Sequence, residues 1–369
     1  MTAATSRLTA RAVRLPVIRI LARLGAGPVL QAIACVYLVA CTISAIQGRP
    51  DLLHPTAIGT DASNYYAAGL RLDAGHPLYA RSPGDRDVPL NPPYWTAPLL
   101  SPPPVAVAWR VLALLPGDVV MTAWALAGGV LMALASLWLV SRLRARASLA
   151  MIAVGLMVAL TIWSGNVQTY LDVGLILAWL AHERGRPATA GAIAGIAAAL
   201  KISPILLLPW FIARRDWRGT VGMVATLAVV GVISLAGAGL QNHLAYLDVV
   251  FSTSASGATP QSLPAILAGF GVPGSLARLA PLAAMAAGTV AMWPLRRRPG
   301  LAWGVALLAG VYSTPVVHIV GMSILLAALA PHRTQSLLAT LRRPADNGAT
   351  AGPADGSARA GQPLEPGAG

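Results

Sequence analysis

Lys201 is the only lysine in a chain whose other cationic residues, histidines aside, are all arginine. It falls in AAALKISPILLLPWF, between two apolar runs. Behind it, Ser203 and Pro204 read as the N-cap and first position of the next helix. An ammonium beside a helix N-terminus suits a phosphate. The plainer alternative is a lysine snorkelling toward lipid headgroups. His318, in STPVVHIVGM, begins the last apolar run. It reads as a structural histidine or as a hydrogen-bond partner for a substrate or a leaving phosphate.

Asp61 supplies the opposite charge, in GTDASNYYAAGLRLDAGHPLY. As a helix cap it suits the stretch behind it, which reads as a short helix stopped at Gly75. As a general base it would take a proton from a hydroxyl nucleophile. Tyr65 and Tyr66 follow it, and they fit either an interfacial aromatic belt or the stacking face of a sugar site. In NPPYWTAPLLSPPP, Asn91 and Tyr94 are candidate substrate contacts within a proline-broken external segment. In IWSGNVQTYLD, Asn166 and Gln168 open a helix whose free N–H groups suit an anionic or hydroxyl-rich ligand, or simply form a polar turn. Asp172 lies deeper, where an acid must face protein or water rather than lipid. His, Cys and Asp are not grouped at ligand spacing, so neither a metal nor another cofactor is expected.

The elements that position these groups must be membrane helices. Of 369 residues 56% are hydrophobic and only 11% charged, and the mean hydropathy is +0.65. Apolar runs at about 27–47, 118–141, 149–164, 167–182, 187–200, 202–213, 219–239, 275–294, 300–314 and 316–331 predict ten transmembrane helices, some short or broken. PQSLPAILAGFGVP, at 260–273, reads as a half-helix. The net charge of +14 comes from arginine clusters between the runs, which is a topology signal rather than a nucleic-acid surface. With ten spans and a cytoplasmic N-terminus, every cluster lands inside. Asp61, the turn at 164–166, Lys201 and His318 then share the outer side. Cys35 and Cys41 sit in one apolar run on different faces, so no disulfide is expected between them.

The predicted organisation is a basic cytoplasmic segment at 1–26, a transmembrane domain at 27–331 and a disordered cytoplasmic tail at 332–369. The domain includes a structured outer loop, 48–117, with short helices, and the segment near 240–262 is expected to be a further outer loop. The fold class is all-α and polytopic, in the plasma membrane, with both termini cytoplasmic.

Several segments resemble glycosyltransferase family 87. GTDASNYYAAGLRLDAGHPLY resembles that family's first outer loop, NPPY its Tyr-Pro-Pro segment, and SGNVQ its Gly-Gln-x-Asn turn. GAIAGIAAALKISPILLLP resembles its Lys-x-x-Pro helix, and YSTPVVH its late Ser-Pro…His element. The resemblance spans about residues 25 to 335. Two departures bear on specificity: Asn166 and Gln168 exchange the two amides, and the tyrosine is displaced to Tyr94.

The resemblance implies the C-type glycosyltransferase fold and an α-mannosyltransferase. It implies a polyprenyl-phosphate sugar donor, usually mannose, a glycolipid or lipoglycan acceptor, and inverting transfer on the outer face. Asp61 matches the position of the base. Lys201, Ser203 and His318 would then hold the donor phosphate. Tyr65, Tyr66, Asn91, Tyr94, Asn166 and Gln168 would meet sugar or acceptor. Two alternatives remain at this stage: a transporter or lipid flippase, and the same fold using another polyprenyl-phosphate sugar such as arabinofuranose.

Overall fold

The computed structural model describes residues 60–80, 82, 83, 85, 99–140, 161, 164–256, 259, 262–314 and 317–331. The expected spans at 27–47 and 149–164, the basic segment at 1–26, the tail at 332–369, and Asn91 and Tyr94 lie wholly or largely outside them. Among the described residues all regular structure is helical.

The first described helices are α1 (Thr60–Asp73) and α2 (Pro103–Leu112). Then come α3 (Gly117–Val140), α4 (Gln168–Glu183) and α5 (Pro187–Leu200). A 3-10 turn, Ser203–Leu206, runs into α6 (Leu207–Ala213), followed by α7 (Trp217–Ser256). α8 (Leu263–Gly269), α9 (Gly274–Ala277), α10 (Ala280–Leu295) and α11 (Pro299–Tyr312) complete most of the chain. A 3-10 segment, Ile319–Ile324, leads into α12 (Leu325–Ala328).

Among the described residues three stretches are long and apolar enough to cross a membrane: Val119–Ser136, Trp217–Val250 and Gly274–Leu295. The other expected spans in the described residues are shorter helices. Prolines account for much of this, because they sit at or next to the first position of α5, the Ser203 turn and α11, where the missing N–H costs nothing. The surface of α7 carries exposed Val221, Val232 and Ile233, as expected of a lipid-facing helix.

Helices α5 and α7 pack by small residues. A Cβ on Gly191 would lie 1.9 Å from the Gly219 carbonyl oxygen, and one on Gly222 2.3 Å from that of Ala188. Only backbones that touch leave so little room, which is the small-residue packing of helices in lipid. Gly310 of α11 does the same against the Ser203 carbonyl oxygen, at 2.0 Å.

Three local expectations are corrected. Ser203 is not an N-cap: it is the first residue of the 3-10 turn, Ile202 is the cap and Pro204 comes second. Lys201 is the extended C-cap of α5, and the proline sits one position later in the next helix than the sequence pattern implied. Asp61 lies inside the first turn of α1 rather than ahead of it.

The segment after 239 is helix, not loop, as far as Ser256. The expected span end is still visible, because Gly239 breaks the helix with φ +78°. The carbonyls around the break find side-chain donors. Arg110 donates to Gly237, Asn242 to Ala238, and His243 Nδ1 lies 2.8 Å from the Gly239 oxygen. Asn242 Oδ1 also accepts the Leu78 N–H at 2.9 Å, which ties the stretch after α1 to α7.

Candidate active site

The site starts from a turn. Gly165 has φ +66°, and a Cβ there would lie 2.6 Å from that of Ala62. The turn therefore presses against α1. The Ser164 carbonyl accepts the N–H groups of Asp61 and Ala62, at 3.0 and 3.3 Å, and so satisfies free donors at the start of α1. Trp124 Nε1 donates to the Gly165 carbonyl at 2.9 Å.

Asn166 then joins the two helices. Its Nδ2 donates to Asp61 Oδ2 at 2.8 Å, and its Oδ1 accepts the N–H of Gln168 at 2.8 Å. The Asp61 carboxylate is thus aimed by an amide whose own orientation is fixed by the first turn of α4. Tyr65 Oη accepts the Val167 N–H at 3.5 Å, and its ring packs on Trp109 with centroids 5.7 Å apart. Burial, and then the charge of Asp61, raise the Tyr65 phenol above its ordinary value. It therefore stays a neutral hydroxyl.

One turn along α4, Gln168 Nε2 donates to Asp172 Oδ1 at 2.6 Å. Ser323 Oγ donates to Asp172 Oδ2. Asp172 is fully buried, so the prediction that it faces protein rather than lipid holds. Gln168 Oε1 is buried with no hydrogen-bond partner among the described residues.

Lys201 closes the other side. Its N–H reaches back to the Ala197 carbonyl at 3.0 Å, ending α5. Its ammonium lies against Gly321, where a Cβ would be 3.5 Å from Nζ. Among the described residues that ammonium makes no hydrogen bond or close ion pair, while the charges of Asp172 and Asp61 both act on it. His318 is the exposed N-cap residue of the Ile319–Ile324 segment and sits in the field of Asp61 and Lys201. Thr259 holds the preceding residue by exchanging two hydrogen bonds with the Val317 backbone.

Asp61, Asn166, Gln168, Lys201 and His318 are thus gathered from α1, the 164–166 turn, the end of α5 and the 3-10 segment. The remaining predicted residues are placed differently. Tyr66 is buried and donates from Oη to the Leu115 carbonyl at 2.9 Å. Ser203 is buried with its carbonyl against Gly310. Sequence reasoning missed Ser323, which nothing local in the sequence marks. The link between Gln168 and Asp172 was readable from their i, i+4 spacing. Among the described residues, no three of His, Cys, Asp and Glu converge as a metal site.

An ammonium that no described residue hydrogen-bonds, together with a carboxylate aimed by Asn166, can bind an anion and accept a proton in one site. The model of glycosyltransferase family 87 matches residues 100–339. Asn166, Gln168, Lys201, Ser203 and His318 fall within the match, while Asp61, Tyr65, Tyr66, Asn91 and Tyr94 precede it. No curated protein and no solved structure matches the chain.

Proposed function

Because the chain belongs to glycosyltransferase family 87, we propose that it transfers a hexose, mannose foremost, from a polyprenyl-phosphate sugar to a glycolipid or lipoglycan acceptor at the outer face of the plasma membrane. The acceptor hydroxyl oxygen attacks the anomeric carbon and gives its proton to Asp61. The bond from that carbon to the phosphate oxygen breaks, and the phosphate leaves with the bonding electrons. Inversion follows from attack opposite the leaving group. Positive charge at Lys201, with His318 beside it, stabilises the phosphate as its charge grows, without a metal ion. Asn166 and Gln168 would orient the acceptor-side groups, and Tyr65, Tyr66, Asn91 and Tyr94 would shape the sugar and acceptor pockets. Ser203 sets the exit of the chain from Lys201.

One observation carries this reading. Asp61, fixed by Asn166 at 2.8 Å, shares a site with the open ammonium of Lys201. The membrane glycosyltransferase class has that same support from the family. The sugar and the acceptor rest on the resemblance of the outer-loop motifs.

The test is transfer of radiolabelled mannose from polyprenyl-phosphate mannose in membranes containing the chain, with polyprenyl-phosphate arabinofuranose as a parallel donor. Labelled glycolipid should form with the mannosyl donor. Asp61→Asn should lower the rate by roughly 10²–10⁴-fold, the span of general-base catalysis. Transfer from the arabinosyl donor alone would correct the sugar. An Asp61→Asn protein with full activity would remove Asp61 from the mechanism.

A further inference from the structure

We propose that Asp172 is a positioning residue of the transfer site, holding the Lys201 and His318 side in register with Asp61. This rests on the transfer reading above. The proposal comes from where the two carboxylate oxygens go. Oδ1 takes Gln168 Nε2 at 2.6 Å, and Oδ2 takes Ser323 Oγ. Gln168 belongs to the turn that aims Asp61, since its N–H holds the oxygen of Asn166, whose amide holds Asp61. Ser323 belongs to the segment that begins at His318 and carries Gly321 against the Lys201 ammonium. One buried carboxylate therefore joins two polypeptide segments 151 positions apart at the point where they meet.

The charge of Asp172 adds to this. A fully buried carboxylate taking only neutral donors is costly to keep, and the nearby cation whose charge acts on it is Lys201. The lysine side chain is long and flexible, and none of the described residues hydrogen-bonds its ammonium. It lies against Gly321, in the segment that Ser323 ties to Asp172. The charges of Asp172 and Asp61 both act on it. Substrate phosphate would then meet an ammonium already in place rather than one still to be ordered.

Asp172 touches neither reacting atom in this scheme, so its variants should spoil geometry rather than proton transfer. Asp172→Asn is the informative change. Its amide keeps the shape, its oxygen still accepts from Gln168, and Ser323 can turn to accept from its nitrogen. The fold survives and the charge does not. Ser323→Ala is the companion, because it cuts the same link from the other side and leaves the carboxylate in place.

The experiment uses the full chain in lipid nanodiscs, with two readouts. The first is kcat and donor KM for mannosyl transfer. The second needs no turnover. Reductive ¹³C-methylation of the single lysine gives one side-chain NMR signal, assigned by its loss in Lys201→Arg.

Both variants should shift the lysine signal and lower kcat by roughly 10²-fold, the scale of a misplacement of about 1 Å, with a thermal midpoint near that of the unaltered chain. Wild-type kcat and an unmoved lysine signal in both variants would overturn the proposal. So would activity losses that track loss of folded protein alone. If the unaltered chain transfers no sugar, the transfer reading falls. The lysine signal then decides the positioning role by itself: moved, it stands; unmoved, it fails.

Discussion

Helix α4 carries polar groups at both ends, and the two ends are built differently. Gln168 and His182 are 14 positions apart, about 21 Å along the helix. At the Gln168 end, carboxylates and an ammonium converge without closing into an ion pair. At the His182 end the space is filled by rings. Trp179, Trp210 and Trp303 pack with centroids 5.3 to 6.1 Å apart, and His182 sits edge-on to Trp210 at 5.0 Å. The polar groups there lie among the rings, although His182 Nδ1 and Arg214 Nε are buried with no hydrogen-bond partner among the described residues. Arg214 lies over the Trp210 ring, and His182 is 3.4 Å from Asp216. The same helix thus ends in a filled aromatic plug and in a site with charge to spare. An ammonium that no described residue hydrogen-bonds is a candidate ligand site, whereas a guanidinium stacked on an indole is an anchor.

Substitutions at the two ends should therefore fail in different ways. Lys201→Met removes the ammonium, and transfer should fall by roughly 10²–10³-fold per folded molecule, with some loss of stability because buried Asp172 loses its nearby cation. Lys201→Arg should recover only part of it, since a planar guanidinium does not fit where a compact ammonium lies against Gly321. Trp303→Ala at the plug empties a fully buried position and orphans the Ala327 carbonyl that its Nε1 reaches at 3.1 Å. The loss should be about 3–5 kcal/mol of stability, read by thermal denaturation, with kcat per folded molecule retained. If Trp303→Ala instead lowered kcat at full stability, the plug would have to be counted as part of the site.

Gly310→Ala joins packing to chemistry and should have a smaller effect on both. A methyl there would stand 2.0 Å from the Ser203 carbonyl, which is backbone and cannot turn aside. α11 must then retreat, and Ser203 is two residues from Lys201. Relieving that contact takes a displacement of about 1 Å, which should cost up to roughly 10²-fold in kcat. Donor KM and kcat measured beside melting temperature would separate that from simple destabilisation.

These contrasts show what the sequence could reveal. Apolar runs and prolines placed most of the helices well, because burial in lipid and the missing proline N–H act locally. Lys201 and Asp61 stood out by charge, since an ion between apolar runs needs a reason. The turn at 164–166 was legible as a helix start, but its role in aiming Asp61 was not. That role depends on α1 arriving 105 positions away. Ser323 was invisible for the same reason, as its partner Asp172 is far off in the chain. Ser203 was misread because the cap pattern is also the pattern of a 3-10 turn. Tyr65 and Tyr66 could not be told from a belt, since packing against Trp109 and the Leu115 carbonyl is decided by tertiary contacts.

A third cluster sharpens the comparison from the other direction. Asp85, in the loop after α1, has the close partners that Lys201 lacks among the described residues. It accepts from Arg71 Nε at 3.0 Å, from His76 Nδ1 at 2.7 Å and from its own loop at the Ser82 N–H, 2.8 Å. Burial works against its ionisation, but these donors outweigh it, and its carboxyl sits below the usual carboxylate value. A lowered value means that the stabilisation is complete above the ordinary aspartate pKa of about 4 and is lost as pH falls through the folded value. The cluster ties the end of α1 to the loop behind it, so acid should loosen that loop first. Limited proteolysis between about pH 3 and pH 6 should show faster cleavage near residues 76–85 at the acid end. Asp85→Asn should cleave fast throughout and lose most of the pH dependence, while Asp61→Asn should leave the profile unchanged. An Asp85→Asn protein with the unaltered acid profile would mean that another carboxylate holds the loop, and that full pairing at Asp85 does not distinguish a structural cluster from a working one.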